Sequence, residues 1–188
     1  MANVQDVAKF FIDLAQKRQK QYAGDLMTNL RLQKLLYFAQ GWSLARYGRP
    51  LFNAPIVAWK FGPVVQEVYR RYNANSGNGI SSDASISSDA LTPEELSLLL
   101  DVSREYDRFS TSQLVDLSHV PGGPWAETPQ SGVIPTDKIQ QYFSHLSPLP
   151  SFDDLLAKME VIEPRRDENG RSIFPAEVDE DWGDYDED

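Results

Sequence analysis

The run Leu32-Gln-Lys-Leu-Leu-Tyr-Phe-Ala-Gln-Gly-Trp42 decides how this chain folds. Leu32, Leu35, Leu36, Ala39 and Ser43 recur at the three- and four-residue steps that bring side chains onto one face of an α-helix. Thr28 or Asn29 supplies a capping side chain at the start, and Gly48 is well placed as the stop. Upstream, Val4, Val7, Ala8, Phe11, Leu14 and Ala15 repeat the pattern behind Asn3 as a cap. That helix ends in Lys17, Arg18 and Lys20, cations that suit a helix C-terminus.

Downstream the pattern changes. Pro55-Ile-Val-Ala-Trp-Lys60 is β-branched and aromatic, and Pro55 has no N–H to give to a ladder, so a short edge strand or extended segment is predicted. Gly62-Pro63 ends it, and Pro63 fits the first turn of a helix reaching Tyr72, with Val64, Val65, Val68 and Tyr69 inward. Residues 73–90 hold six serines and read as a mobile insertion, with a little β-structure around Ile80 and Ile86. Thr92-Pro-Glu-Glu95 is a capping box that opens a helix toward Phe109, and Ser110-x-x-Gln113 opens a shorter one to about Ser118. Pro121–Trp125 is a loop, Pro135 and Thr136 introduce a helix bearing Ile139, Tyr142, Phe143 and Leu146, and Ser151-x-x-Asp154 introduces a last one over Phe152–Glu160. The prediction is a mainly α, compact domain of about seven helices with a short β-like segment near Pro55–Lys60. It occupies residues 1–163, and residues 164–188 form an acidic, disordered tail.

Composition narrows the chemistry. The 188 residues contain no cysteine, which removes disulfides, thiolate metal sites and cysteine nucleophiles, and only two histidines. No apolar stretch approaches the length of a membrane span, and no basic region followed by an apolar one marks a secretory signal, so a cytoplasmic protein is expected. The net charge of −10 is unevenly spread: residues 1–72 carry +7 and residues 73–188 carry −17. Lys9, Arg31, Lys34, Arg46, Arg49, Lys60, Arg70 and Arg71 are candidates for one basic face, either a solvated surface or a docking surface for something acidic. The acidic remainder makes direct nucleic-acid binding the weaker choice.

Catalytic constellations are scarce. Asp116, Ser118 and His119 supply an acid, a nucleophile and a base, but adjacent helical residues point about 100° apart, which spoils a Ser–His pair. Ser76-Gly-Asn-Gly79 lacks the lysine of a phosphate-binding loop, and Asp153/Asp154 and Asp179–Asp181 lack calcium-loop spacing. No catalytic residue, metal or cofactor is expected. The aromatics Trp42, Trp59 and Trp125, with Tyr37, Phe38, Tyr47, Phe52, Phe61, Tyr69 and Tyr72, suit a rich core, with some left for a partner-binding groove.

Three motifs taken in order carry a resemblance to a known family. They are Leu32–Trp42 with Gly48-Arg-Pro-Leu-Phe52; then Ile56-Val-Ala-Trp-Lys-Phe-Gly-Pro-Val-Val65 with Val68-Tyr69; then Leu114-Val-Asp-Leu-Ser-His119 with Pro124-Trp125, followed by Ile139-x-x-Tyr-Phe143. Across about residues 4–146 the chain resembles the Panacea domain family, also called SocA-like or GepA-like. The resemblance implies a mainly helical fold without known catalytic activity, and an antitoxin that neutralises a cognate protein toxin encoded beside it. One branch resembles proteolytic adaptors that deliver a toxin to an ATP-dependent protease, and many members carry a DNA-binding module, for which there is no room before Val4. The Ser-rich insertion and the acidic tail have no matching counterpart.

On these motifs Lys34, Tyr37 and Trp42 lie close to one helix face, Trp59, Gly62 and Pro63 mark the following turn, and His119 and Trp125 belong to the later motif. Together they are the nominated structural and partner-binding centre. The leading expectation is an antitoxin acting by direct binding. The alternatives are a proteolytic adaptor and a phage-encoded counter-defence protein whose tail mimics nucleic acid.

Overall fold

The computed structural model describes residues 1–22, 26–75, 79, 80, 87, 89–152, 154, 165, 166, 172 and 173. They fall into two units, Met1–Phe152 and Asp153–Asp188. The first is mainly helical. Its elements are α1 (Val4–Tyr22), α2 (Asn29–Tyr47), β1 (Ile56–Trp59), β2 (Gly62–Val65), α3 (Gln66–Tyr72), α4 (Pro93–Asp107), α5 (Thr111–Ser118) and α6 (Thr136–Ser144), with a 3₁₀ turn at Asn73–Asn75. In the second unit Arg165–Arg166 (β3) and Ser172–Ile173 (β4) pair antiparallel.

Six α-helices are present among the described residues, against the seven expected. The expected seventh, Phe152–Glu160, falls outside them apart from Phe152 and Asp154. Most of the Ser-rich insertion and of the acidic tail also lies outside them, as does Ile86; Ile80 is buried and donates its N–H to the Met27 carbonyl at 2.7 Å. None of the described helices is long and apolar enough to cross a membrane.

The helix starts follow local chemistry. Asn3 Oδ1 accepts from the Gln5 N–H, and Thr28 Oγ1 accepts from the Arg31 N–H at the start of α2. Both predicted capping boxes form, Thr92 with Glu95 and Ser110 with Gln113. Gly48 ends α2 in the left-handed region at φ 65°, where its N–H reaches the Leu44 carbonyl.

α2 is the axis of the domain. It packs against α1, α3, α4, α5, α6 and β2, so 14 of its 19 residues are buried, not one face alone. Its polar residues are buried too, and each meets a backbone group of a neighbouring segment. Gln40 Oε1 accepts from the Leu51 and Phe52 N–H groups, and its Nε2 donates to the Phe52 carbonyl. Gln33 Oε1 accepts from the Val65 N–H; its Nε2 donates to Asn29 Oδ1, and Asn29 Nδ2 donates to the Tyr69 carbonyl. An unpaired buried amide is costly, so these pairings hold the following segments in one register on α2.

The hairpin corrects the reading of Gly62-Pro63 as the boundary between a strand and a helix. These residues begin β2, paired Trp59↔Gly62, Ala58↔Pro63, Val57↔Val64 and Ile56↔Val65, and α3 starts only at Gln66. Proline is tolerated because Ala58, opposite it, turns its own hydrogen bonds away. The Ala58 N–H donates to the Gly132 carbonyl and the Ala58 carbonyl accepts from the Ser131 N–H. Pro63 therefore faces a position of the ladder that asks for no donor. The same bonds, with Ile134 N–H to the Ile56 carbonyl, line β1 on its second side, so it is not an edge strand.

Candidate functional site

The hairpin is pinned to α2, and the pins are motif residues. Lys34 is fully buried, and its Nζ donates to the Pro63 carbonyl at 3.3 Å. Gly62 has φ +102° and lies against this amine. A Cβ at Gly62 would fall 2.3 Å from Lys34 Nζ, 2.9 Å from Ser118 Oγ and 3.0 Å from His119 Cε1. The indole N–H of Trp125 donates to the Trp59 carbonyl at 2.9 Å, and the Trp125 ring meets the His119 ring edge-on at 3.7 Å between centroids. Six of the eight nominated residues, Lys34, Trp59, Gly62, Pro63, His119 and Trp125, thus converge from α2, the hairpin, the end of α5 and the loop after it.

Tyr37 and Trp42 do not join them. Tyr37 is buried against Phe38 and Phe143, and Trp42 donates its indole N–H to the Tyr106 hydroxyl at 2.9 Å beside Phe143. They pack α4 and α6 onto the far side of α2. Burial and the neighbouring Tyr142 and Tyr106 hydroxyls push the Tyr37 phenol well above its ordinary range.

Ser118 and His119 do touch, contrary to the helical-geometry argument, because His119 is already outside the regular helix. It is the C-cap of α5, at φ −107° and ψ 15°, and its ring folds back over the last turn. Nδ1 lies 3.2 Å from Ser118 Oγ and 2.5 Å from the Val115 carbonyl. A carbonyl oxygen only accepts, so the proton sits on Nδ1, while Ser118 Oγ gives its own proton to the same carbonyl at 2.7 Å. In this arrangement Nδ1 is a donor and does not activate the serine. Asp116 reaches His119 through its backbone carbonyl.

The expected basic face is broken up. Lys34 is interior, and Lys9 pairs with Asp6. Arg31 donates to the Phe109 and Tyr106 carbonyls, Arg46 pairs with the buried Asp101 at 2.7 Å, and Arg49 pairs with Glu94. Lys60, Arg70 and Arg71 stay exposed, Arg71 donating to the Gln5 amide oxygen. No group of three His, Cys, Asp or Glu among the described residues could hold a metal ion.

The part of the site that faces outward was legible only as separate residues, Lys60 among the basic candidates and Phe61 among the aromatics, and not as one surface. The two-residue turn Lys60–Phe61 carries Phe61 at 63% exposure. Beside it opens a cleft of about 580 Å³ between the start of α2, the hairpin, α3 and residues 130–131. The signal for it was an aromatic–basic–aromatic triplet, Trp59-Lys60-Phe61, at the centre of two apolar runs. The inner signal was an Asn29–Gln33 pair, four residues apart on one face of α2.

The buried Lys34 has a measurable consequence. Desolvation lowers its pKa from 10.5 to about 7. Above that value the folded protein has released a proton that the unfolded chain keeps, so stability rises with pH until the unfolded lysine also titrates. Denaturant titrations should show wild-type stability gaining about 2 kcal/mol over Lys34→Met between about pH 7 and pH 9. Parallel pH profiles for the two proteins would show that Lys34 keeps its ordinary titration.

A mainly helical domain that pins a β-hairpin to a buried, polar-studded helix is the class of protein these features define. The family described as "Antitoxin SocA-like, Panacea domain" matches residues 32–126, half of the chain and the whole of the pinned region. The chain belongs to this family. A curated relative, "Antitoxin SocA" of Caulobacter vibrioides (strain NA1000 / CB15N), is 44% identical over 112 residues, 53% of this chain and 58% of the relative. The chain thus spans less than two thirds of that relative's length. No solved structure matches the chain.

Proposed function

We propose that this protein is an antitoxin that neutralises a cognate protein toxin by binding it directly. The observation that carries this reading is membership of the SocA-like Panacea family over residues 32–126, the segment that builds and pins the hairpin. The chemistry of the site supports binding over turnover. The Lys34 amine is sealed from solvent, and His119 Nδ1 is committed to a carbonyl. Within this reading Lys34, Gly62, Pro63, His119 and Trp125 hold the hairpin, Trp59 also lines the cleft beside it, and Tyr37 and Trp42 serve the core.

The test is co-expression with the product of the adjacent open reading frame. Growth should be rescued from that product's toxicity, and the two proteins should co-purify as a stable complex. Unrelieved toxicity together with the absence of a complex would remove the reading.

A further inference from the structure

We infer that the cleft beside the hairpin tip receives an aromatic side chain of the partner protein, flanked there by carboxylates. The inference rests on the proposed binding function and names the surface that performs it.

The cleft walls are predominantly apolar and aromatic. Trp59 and Tyr69 meet edge-to-face at 4.9 Å between ring centroids, and Leu30 and Phe61 stand at the mouth at 38% and 63% exposure. Aromatic walls with accessible edges favour an aromatic guest, which gains from offset and edge-to-face geometry beyond its apolar burial. Lys60 is the one charged residue among the described lining, and among the described residues it forms no ion pair; its ammonium lies 5.5 Å from the Phe61 ring centroid. Arg70, next to Tyr69, is also exposed. No described carboxylate lines the cleft, so the charge its lining offers a guest is the Lys60 ammonium, which favours acidic neighbours.

The walls are also held in place before any partner arrives. Trp59 is fixed through its carbonyl by Trp125 and Tyr69 by Asn29, and Gln33 holds Val65, next to the lining Val64. On the opposite wall Ser131 is the one described non-glycine residue with positive φ, at 66°, and its N–H is bonded to Ala58. A residue held in that region by its surroundings marks a wall whose shape is specified, and a preformed wall loses little freedom on binding.

The experiment titrates the full chain with the synthetic peptide acetyl-Gly-Asp-Glu-Phe-Glu-Asp-Gly-amide, following the NMR signals of Trp59, Phe61 and Tyr69. Saturable shifts of these three residues are expected. They should weaken at about 0.5 M salt and vanish when the peptide's Phe is replaced by Ala. Phe61→Ser and Lys60→Glu, both at an exposed turn and checked for unchanged melting temperature, should each weaken binding about fivefold or more. Shifts absent from these residues, or wild-type affinity in both variants, would overturn the assignment. The co-expression assay separates the two readings. Rescue by wild type and equally by the Phe61→Ser/Lys60→Glu double variant overturns the cleft and leaves the antitoxin standing. Peptide binding with neither rescue nor a complex retains the cleft and removes the antitoxin.

Discussion

Gly62→Ala is expected to destabilise the protein by about 3 kcal/mol, lowering the melting temperature by roughly 10 °C. Two independent terms contribute. A φ of +102° is one that a residue with a Cβ rarely adopts. The added methyl would also sit 2.3 Å from the Lys34 amine, with Ser118 and His119 closing the other sides. The amine is the end of a flexible chain, but it is wholly buried and has little space to retreat. Combining Gly62→Ala with Lys34→Met should therefore restore only part of the loss, because the backbone term remains. Thermal unfolding of the two variants checks this, and a fully restored double variant would assign the whole cost to the clash.

Gly41→Ala should cost about 2–3 kcal/mol, although it replaces a glycine inside a helix. On an exposed helix face the same change would gain about 1 kcal/mol from propensity. In α2 the new methyl would fall 2.3 Å from Phe143 Cε2 and 2.4 Å from two further ring atoms. That ring is itself enclosed: Tyr37, Trp42 and Tyr142 lie 5.4–5.5 Å away between centroids, and Phe143 is 1% exposed. Phe143→Leu alone removes ring contacts and should also destabilise. Together the two changes should cost less than their sum, since the smaller side chain makes room for the methyl. Strict additivity in chemical denaturation would mean that Gly41 and Phe143 are not packed together.

The elements whose causes are local were legible from the residues themselves. Thr92-x-x-Glu95 and Ser110-x-x-Gln113 each carry their own hydrogen-bond partners, and Gly48 needs nothing beyond its own backbone to end α2. The hairpin was not legible, because proline fits a first helical turn as well as it fits a ladder position without a donor. What decides between them is Ala58, whose bonds go to residues more than seventy positions away. The enclosure of α2 was missed for a related reason. Gln33, Lys34 and Gln40 look like a solvated face until the backbone groups that satisfy them are in place.

The site divides along the same line. Motif spacing nominated six residues that do meet, but also Tyr37 and Trp42, which share a helix with Lys34 and face elsewhere. The contact between Ser118 and His119 was discounted because helical geometry was extended one residue past the helix. The basic face failed because the acids and carbonyls that bind its arginines come from distant segments, Asp101 and Phe109 among them.

The burial of α2 bears on what likeness between such proteins can report. The run Leu32–Trp42 makes the chain recognisable, yet every one of its side chains is enclosed, and an enclosed side chain cannot touch a partner. Kinship read from that run is a record of shared architecture. On the proposed reading, whatever distinguishes one partner from another is written in a separate, outward-facing vocabulary, in which Lys60 and Phe61 are the words within reach. On that reading two members that agree throughout the interior can still answer to different toxins.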